Sequence, residues 1–246
     1  MLITSLDNKK IKLISSLSNN KTRDSLGLFI VEGMHLVKEA YLHNKLSEII
    51  LLEDHELEFE CNVEINFVTQ KVMNKITNLN NSTVIGICKI DNNNELKGNH
   101  ILLLDDLQDP GNIGTIIRSS LAFNVDTIVM SPNCCSLYND KVIRSTQGTL
   151  FSLNIIKKDL IETVNILKDK GYQILSTDVN NGVDVRTISC SKYALIMGNE
   201  GLGVKKELKD LADKNLYIKM NENCESLNVG VATSILLYEL GGKNEN

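Results

Sequence analysis

Asp105–Phe123 reads DDLQDPGNIGTIIRSSLAF and follows four consecutive aliphatics, Ile101-Leu102-Leu103-Leu104. An aliphatic run ending in acids marks a strand buried on both faces. The cluster Asp109-Pro110-Gly111-Asn112 is a turn, and Ile113, Ile116, Ile117 and Leu121 then recur at helical spacing. The stretch is therefore strand, tight loop, helix, with Gly111 and Gly114 leaving room for a close backbone or ligand approach. Arg118 falls on a different helix face from the isoleucines. From there it either reaches back over the strand ends, where open α/β sheets bind ligands, or serves as a salt-bridged surface residue.

Strand and helix patterns alternate after this stretch. Strands are expected at Thr127–Met130, Phe151–Ile156, Tyr172–Ser176, Tyr193–Met197 and Asn215–Lys219. Helices are expected at Lys141–Gly148 (bearing Arg144), Asp159–Lys168, Lys205–Ala212 and Asn228–Leu240, with Asp159 and Glu162 placed as a capping pair. Such alternation makes a parallel sheet with helices on both faces. Upstream, the polar, Asn-rich Asp91–His100 is the best linker, so the domain boundary is set near residue 97. The first third is a small α/β unit. It has helices over residues 5–18, Gly33–His43 and Lys71–Ile76, and strands at Leu26–Val31, Leu46–Leu52, Val63–Val68 and Thr83–Ile90. Lys243–Asn246 is expected to be a disordered tail.

Composition narrows the class. At 246 residues, 42% apolar and 23% charged, the chain suits one large or two ordinary globular domains. No apolar run approaches the roughly 20 residues of a membrane span. MLITSLDNKK lacks the charge-then-apolar order of a signal peptide, which predicts a cytoplasmic protein. The six cysteines form no C-x-x-C pair, which argues against a disulfide framework and a zinc site. A net charge of −5 is a poor match to nucleic acid, but it is uneven. Lys9, Lys10, Lys12, Lys21 and Arg23 make the N-terminus basic, whereas residues 53–64 carry six acids. A basic arm could touch phosphates locally, or it could be a solvated helix.

Two further loops lie at strand carboxyl ends. Met197-Gly198-Asn199-Glu200-Gly201-Leu202-Gly203 has three glycines in six residues, so a bulky ligand could rest on bare backbone amides. Its G-x-x-G-x-G spacing is not the dinucleotide order, and no Walker G-K-[ST] is present. Glu200 could alternatively cap the next helix. Met220–Asn228, MNENCESLN, precedes the last helix, which Ser226 and Asn228 could cap. That helix is apolar on more than one face, as expected of a fully buried helix or of one shared with a second copy of the chain.

In this order the three loops resemble the SpoU (TrmH) family of RNA ribose 2′-O-methyltransferases, within the SPOUT superfamily. The matching residues are Asn112-Ile113-Gly114 with Arg118, then Ile196–Gly203, then Ile218-Lys219-Met220 with Ser226-Leu227-Asn228-Val229. The resemblance covers residues from about 100 to 241. Phe29-Ile30-Val31-Glu32-Gly33 with Leu36-Val37 resembles the start of an L30e-like RNA-binding domain. The resemblance implies an α/β fold with a trefoil knot in the C-terminal parallel-sheet domain (98–246), after an L30e-like domain (1–97). It implies S-adenosylmethionine as cofactor, no metal, a homodimer with sites at the subunit interface, and RNA as substrate. Ribosomal (23S) RNA is favoured over transfer RNA; a non-catalytic RNA-binding or ribosome-assembly protein is the other alternative. Gly198, Ile218 and Leu227 would line the adenosyl pocket through main chain, with Asn199, Glu200, Gly201, Met220 and Thr177 close by. Arg118, Asn112, Glu200, Ser226 and Asn228 would form the catalytic cluster. A guanidinium holds its proton too tightly to be a cheap base, so Arg118 is cast as an orienter and electrostatic partner of the 2′-oxygen. Lys219 departs from the family's Pro in the third motif, and Lys141, Arg144 and Lys9–Arg23 would carry the RNA contacts.

Overall fold

The computed structural model describes residues 2–91, 93–179 and 182–241. The expected tail at Lys243–Asn246 lies outside the described residues. The chain forms two compact units, residues 1–92 with 136–152, and residues 93–135 with 153–246. The excursion 136–152 leaves the second unit after its second strand and joins the first.

The first unit is built from β1 (Leu2–Ile3), α1 (Lys9–Ser16), α2 (Asn20–Leu26), β2 (Leu28–Glu32), α3 (Met34–Leu42), β3 (Leu46–Leu52), β4 (Glu64–Val68), α4 (Gln70–Ile76) and β5 (Val84–Lys89). Its five-stranded sheet runs in the order β1-β4-β3-β5-β2. β1, β4 and β3 are parallel, and β5 pairs antiparallel with both β3 and β2. The expected helix over residues 5–18 is shorter because the Asn8 side chain caps α1 by accepting from the Lys10 amide. α2 was not foreseen. It takes Leu26 out of the expected strand and ends at Gly27, whose φ of 63° is the left-handed conformation glycine favours. Arg23 is buried there and donates to the carbonyls of Leu17 and Ser18, just past the end of α1.

The second unit contains β6 (His100–Leu104), α5 (Pro110–Ala122) and β7 (Thr127–Met130). The chain then passes through α6 (Asp140–Thr146) and a 3-10 turn at Thr149–Phe151, both in the first unit, and returns in β8 (Asn154–Lys157). α7 (Leu160–Asp169), β9 (Gln173–Thr177), β10 (Val183–Asp184), β11 (Tyr193–Met197), α8 (Lys206–Leu211), β12 (Lys214–Tyr217) and α9 (Val229–Gly241) complete it. The seven strands run in the order β10-β12-β9-β11-β6-β7-β8, every neighbouring pair parallel. β11 is buried throughout, as are Ile101–Leu104 of β6, which is why these strands read as unbroken apolar runs. Asp159 caps α7 by accepting from the Glu162 amide.

Several boundaries differ from expectation. α5 begins at Pro110, with Asp109 as its N-cap, so the apparent turn DPGN is the start of the helix; Pro at the first position loses no helical hydrogen bond. Phe151 lies in the 3-10 turn, and β8 starts three residues later. β12 ends at Tyr217, so Ile218 and Lys219 have left the ladder and their main chain is not committed to the sheet. Among the described residues no helix is long and apolar enough to cross a membrane.

Candidate active site

Parallel strands all end on one side, and here the carboxyl ends of β9, β11 and β12 open a cleft of about 490 Å³. That lies within the usual range for a small-molecule site. Thr177 forms part of the floor, and Gly198, Asn199, Glu200 and Gly201 form one wall. Ile218 and Met220, with Ser226, Leu227 and Asn228, form the opposite wall. Asn112 and Arg118 do not line it.

The first wall is a loop folded back on itself. Asn199 and Gly203 exchange two backbone hydrogen bonds, of 3.1 and 2.9 Å. A Cβ at Gly198 would lie 2.1 Å from both the Gly203 carbonyl carbon and the Val204 nitrogen, so only glycine fits. Asn199 holds the loop from inside. Its Oδ1 accepts from the Gly201 and Leu202 amides, and its Nδ2 donates to the Asp106 carbonyl at 2.8 Å. Since its side chain is so engaged, Asn199 faces a ligand chiefly through main chain.

Glu200 does not cap the helix that follows it. Its carboxylate turns to the start of α5 and accepts from the amides of Gln108 (3.4 Å) and Asp109 (3.2 Å) and from Asn112 Nδ2 (3.1 Å). An anion is favoured there by unpaired N–H groups and the helix dipole. Burial alone would raise the Glu200 pKa, but the bonds from Asn112 and the backbone amides outweigh it and hold the group below the usual carboxylate value. Glu200 is thus an ionised acceptor at neutral pH. Asn112 continues the chain, its Oδ1 accepting from Asn228 Nδ2 at 2.8 Å. Asn228 Oδ1 in turn caps α9 by accepting from the Gly230 and Val231 amides. Every amide orientation follows: Asn228 must present oxygen to the cap, so its nitrogen faces Asn112, whose own nitrogen then faces the carboxylate.

A second network lies beneath, from residues not singled out in the sequence. Asp105, buried, accepts from the Lys205 amide at 2.9 Å and pairs with Lys205 Nζ at 3.2 Å. Asp106 takes a left-handed φ of 54°, accepts from Ser131 Oγ at 2.6 Å and pairs with Lys205 Nζ at 2.6 Å. Burial works against its ionisation, yet Lys205, Ser131 and Asn133 together lower its pKa. The two acids closing the aliphatic run were visible; their distant partner Lys205 was not. Also unnamed in the sequence reading are Asp178, Lys209 and Tyr217, all of which line the cleft. Asp178 was detectable as the residue after a strand end; Lys209 and Tyr217 carried no such signal.

The remaining candidates stand apart. Ser226 lines the cleft, but among the described residues its hydroxyl makes no hydrogen bond, and Asn228 alone of the two caps α9. Lys219 lies outside the cleft wall and lines a separate cavity of about 210 Å³ with Asp184, Arg186 and Glu239. Arg118 is exposed on α5 and, among the described residues, makes no hydrogen bond or ion pair. It lies six residues, or about 9 Å of helix rise, beyond Asn112. Of the basic residues named for RNA, Lys10 pairs with Glu48, Lys12 with Asp7 and Arg144 with Asp140, and Arg23 is buried. Lys9, Lys21 and Lys141 are exposed.

Residues 99–238 match the family model of the SpoU rRNA Methylase family, and residues 8–85 that of an MRM3-like substrate binding domain. The chain is 33% identical over 245 residues to the 23S rRNA (guanosine(2553)-2′-O)-methyltransferase RlmP of Bacillus subtilis (strain 168), covering 98% of this chain and 99% of that one. It superposes on an AdoMet-bound rRNA methyltransferase from Sinorhizobium meliloti with a TM-score of 0.85 at 28% identity, covering 97% and 96% of the two chains. The SpoU methyltransferase AviRb from Streptomyces viridochromogenes shares the fold, with a TM-score of 0.84 at 23% identity over 94% and 96% of the chains. The three loops around the cleft and these matches lead to one conclusion: the chain belongs to the SpoU rRNA Methylase family.

Proposed function

We infer that the chain is an S-adenosylmethionine-dependent methyltransferase acting on a ribose 2′-hydroxyl of 23S ribosomal RNA. The observation that carries this is the cleft itself, whose Gly198 wall leaves no space for a side chain and offers main chain to a ligand. Its volume suits a cofactor of that size. Gly198, Ile218 and Leu227 hold the adenosyl group through main chain, with Thr177, Asn199, Gly201 and Met220 beside it. When bound, the cofactor supplies a methyl group on a sulfonium. Identity to RlmP along nearly the whole chain favours 23S RNA over transfer RNA as substrate.

The chain's own residues supply position and charge. Glu200 fixes Asn112, and Asn112 fixes Asn228, so α5 and α9 are held in register beside the cleft. Ser226 contributes to the ribose side a hydroxyl that makes no hydrogen bond among the described residues. Arg118 donates to the 2′-oxygen and its neighbouring phosphate, lowering the cost of removing the hydroxyl proton. Glu200, an acceptor already held by several donors, is a weak base. The first unit binds the RNA substrate, supported by the match over residues 8–85. The assignment also includes the trefoil threading of the family and action in the cytoplasm, where ribosomal RNA is modified. It includes a homodimer too, supported by Val231 and Tyr238, 47% and 63% exposed on α9, and by Leu121 on α5.

The test combines calorimetry with labelled-methyl transfer to 23S RNA and transfer RNA transcripts. The wild-type chain should bind near one cofactor per chain and label 23S RNA at a ribose. Arg118→Ala should bind cofactor within about twofold of wild type, yet lose some 10²–10³-fold in transfer rate. A folded wild-type protein that binds cofactor but methylates neither RNA would leave the RNA-binding alternative; preferential labelling of transfer RNA would reassign the substrate.

A further inference from the structure

Among the described residues, three charged side chains line the cleft: Glu200, Asp178 and Lys209. Glu200 is committed to the start of α5. The other two form an ion pair, Lys209 Nζ to Asp178 Oδ2 at 2.8 Å, with the side chains 30% and 19% exposed. Asp178 follows β9 directly, and β9 lies between β11 and β12 in the sheet. The pair is therefore placed on the floor, between the Gly198 loop and the Ile218 main chain. Thr177, the preceding residue, spends its hydroxyl on the Ile196 carbonyl at 3.3 Å.

We propose that Asp178 and Lys209 bind the vicinal diol of the cofactor's adenosine ribose. This rests on the assignment of the cleft to S-adenosylmethionine. A diol offers two donors and several lone pairs. Asp178 accepts from the hydroxyls, and Lys209 donates to one hydroxyl oxygen while keeping its contact with Asp178. The pair has no net charge, so a neutral diol covers it without stranding an ion, and the two charges need not separate. The amino-acid end of the cofactor, with its own ammonium and carboxylate, would instead have to draw the pair apart. Ribose recognition would then depend on two side chains, while the adenine is held by main chain.

The experiment is calorimetric titration of the full chain with S-adenosylhomocysteine, with 5′-methylthioadenosine, which lacks the amino-acid end, and with methylthioadenosine missing one ribose hydroxyl. For wild type, loss of a hydroxyl should weaken binding about tenfold, the scale of a hydrogen bond to a charged group. Asp178→Asn should weaken S-adenosylhomocysteine and methylthioadenosine by a similar factor and should no longer distinguish the deoxy ligand, within about twofold. Lys209→Met, which keeps the carboxylate, should show a smaller loss in the same direction; circular dichroism establishes that both variants are folded. An undiminished deoxy penalty in the folded variants overturns the proposal, as does a loss confined to S-adenosylhomocysteine, which would place the pair at the amino-acid end. Failure of folded wild type to bind any adenosyl ligand removes the cofactor assignment itself, and the diol proposal with it.

Discussion

The two loops walling the cleft are built on opposite plans. The Gly198–Lys205 loop is closed by its own backbone pair, tied to the start of α5 by Glu200 and to Asp105 and Asp106, just after β6, by Lys205 and Asn199. Residues 221–226 are all exposed, and their hydrogen bonds stay within the segment, from the Cys224 amide to the Asn221 carbonyl and from the Asn223 amide to Asn221 Oδ1. Among the described residues of that loop, Asn228 at its end is the one whose hydrogen bonds reach another element. One wall is preset before a ligand arrives; the other keeps freedom to adjust. A site that must accept both a small cofactor and an RNA nucleotide gains from this division, because the preset wall lowers the ordering cost of the first ligand.

The contrast can be broken at the preset wall. Gly198→Ala drives a methyl into backbone, so the loop must move; cofactor affinity should fall at least ~100-fold in calorimetry, with about 1–3 kcal/mol lost in unfolding experiments. Unchanged affinity would mean the wall is not preset. Glu200→Gln removes the anion from the start of α5 and should lower stability by about 1 kcal/mol. Transfer rate should drop more than cofactor affinity, because Asn112 loses its orienting partner. Asn228→Ala removes the α9 cap and the bond to Asn112; about 1 kcal/mol and faster amide exchange in the first turn of α9 are expected, with little change in the Gly198 loop.

The smallest effect is that of pH. Glu200 has a folded pKa below its ordinary 4.5, so its stabilising contribution is complete above that value and is lost as pH falls through the depressed one. Lys205, raised above 10.5 chiefly by Asp106 and further by Asp105, contributes fully below 10.5 and loses it as pH climbs higher. Amide-exchange protection of the Gly198 loop, corrected for intrinsic rates, should therefore be flat between about pH 5 and 10. A break near neutrality would contradict that charge assignment.

Much of the second unit was legible. The apolar run Ile101–Leu104 declared a strand buried on both faces, which the structure extends by His100, and the strand expected at Tyr193–Met197 has those bounds in the structure. The clustering of the Gly198 loop with the Ile218 and Ser226 segments followed from their shared place at strand ends. Less legible were features set by single turns. α2 escaped because NKTRDSL has no apolar stripe, and the start of α5 escaped because DPGN serves equally as a turn and as cap plus first turn. The partner of Glu200 was also hidden: a carboxylate before one helix can satisfy another helix about 90 residues away, and only the sheet order brings β11 beside β6.

By itself the sequence determined the alternation of strand and helix, the parallel sheet and the three loops at the strand carboxyl ends, because periodicity and turn residues act over a few positions. Tertiary structure alone decided three things: that residues 136–152 return to the first unit, that Asp105 and Asp106 share Lys205, and that Asp178 meets Lys209 in the cleft. The two ion-paired groups join residues 31 to 100 apart and the return of 136–152 depends on the packing of whole units, which follows from how buried surfaces pack and not from any local pattern; the bond from Asn228 to Asn112 reaches further still, across 116 residues.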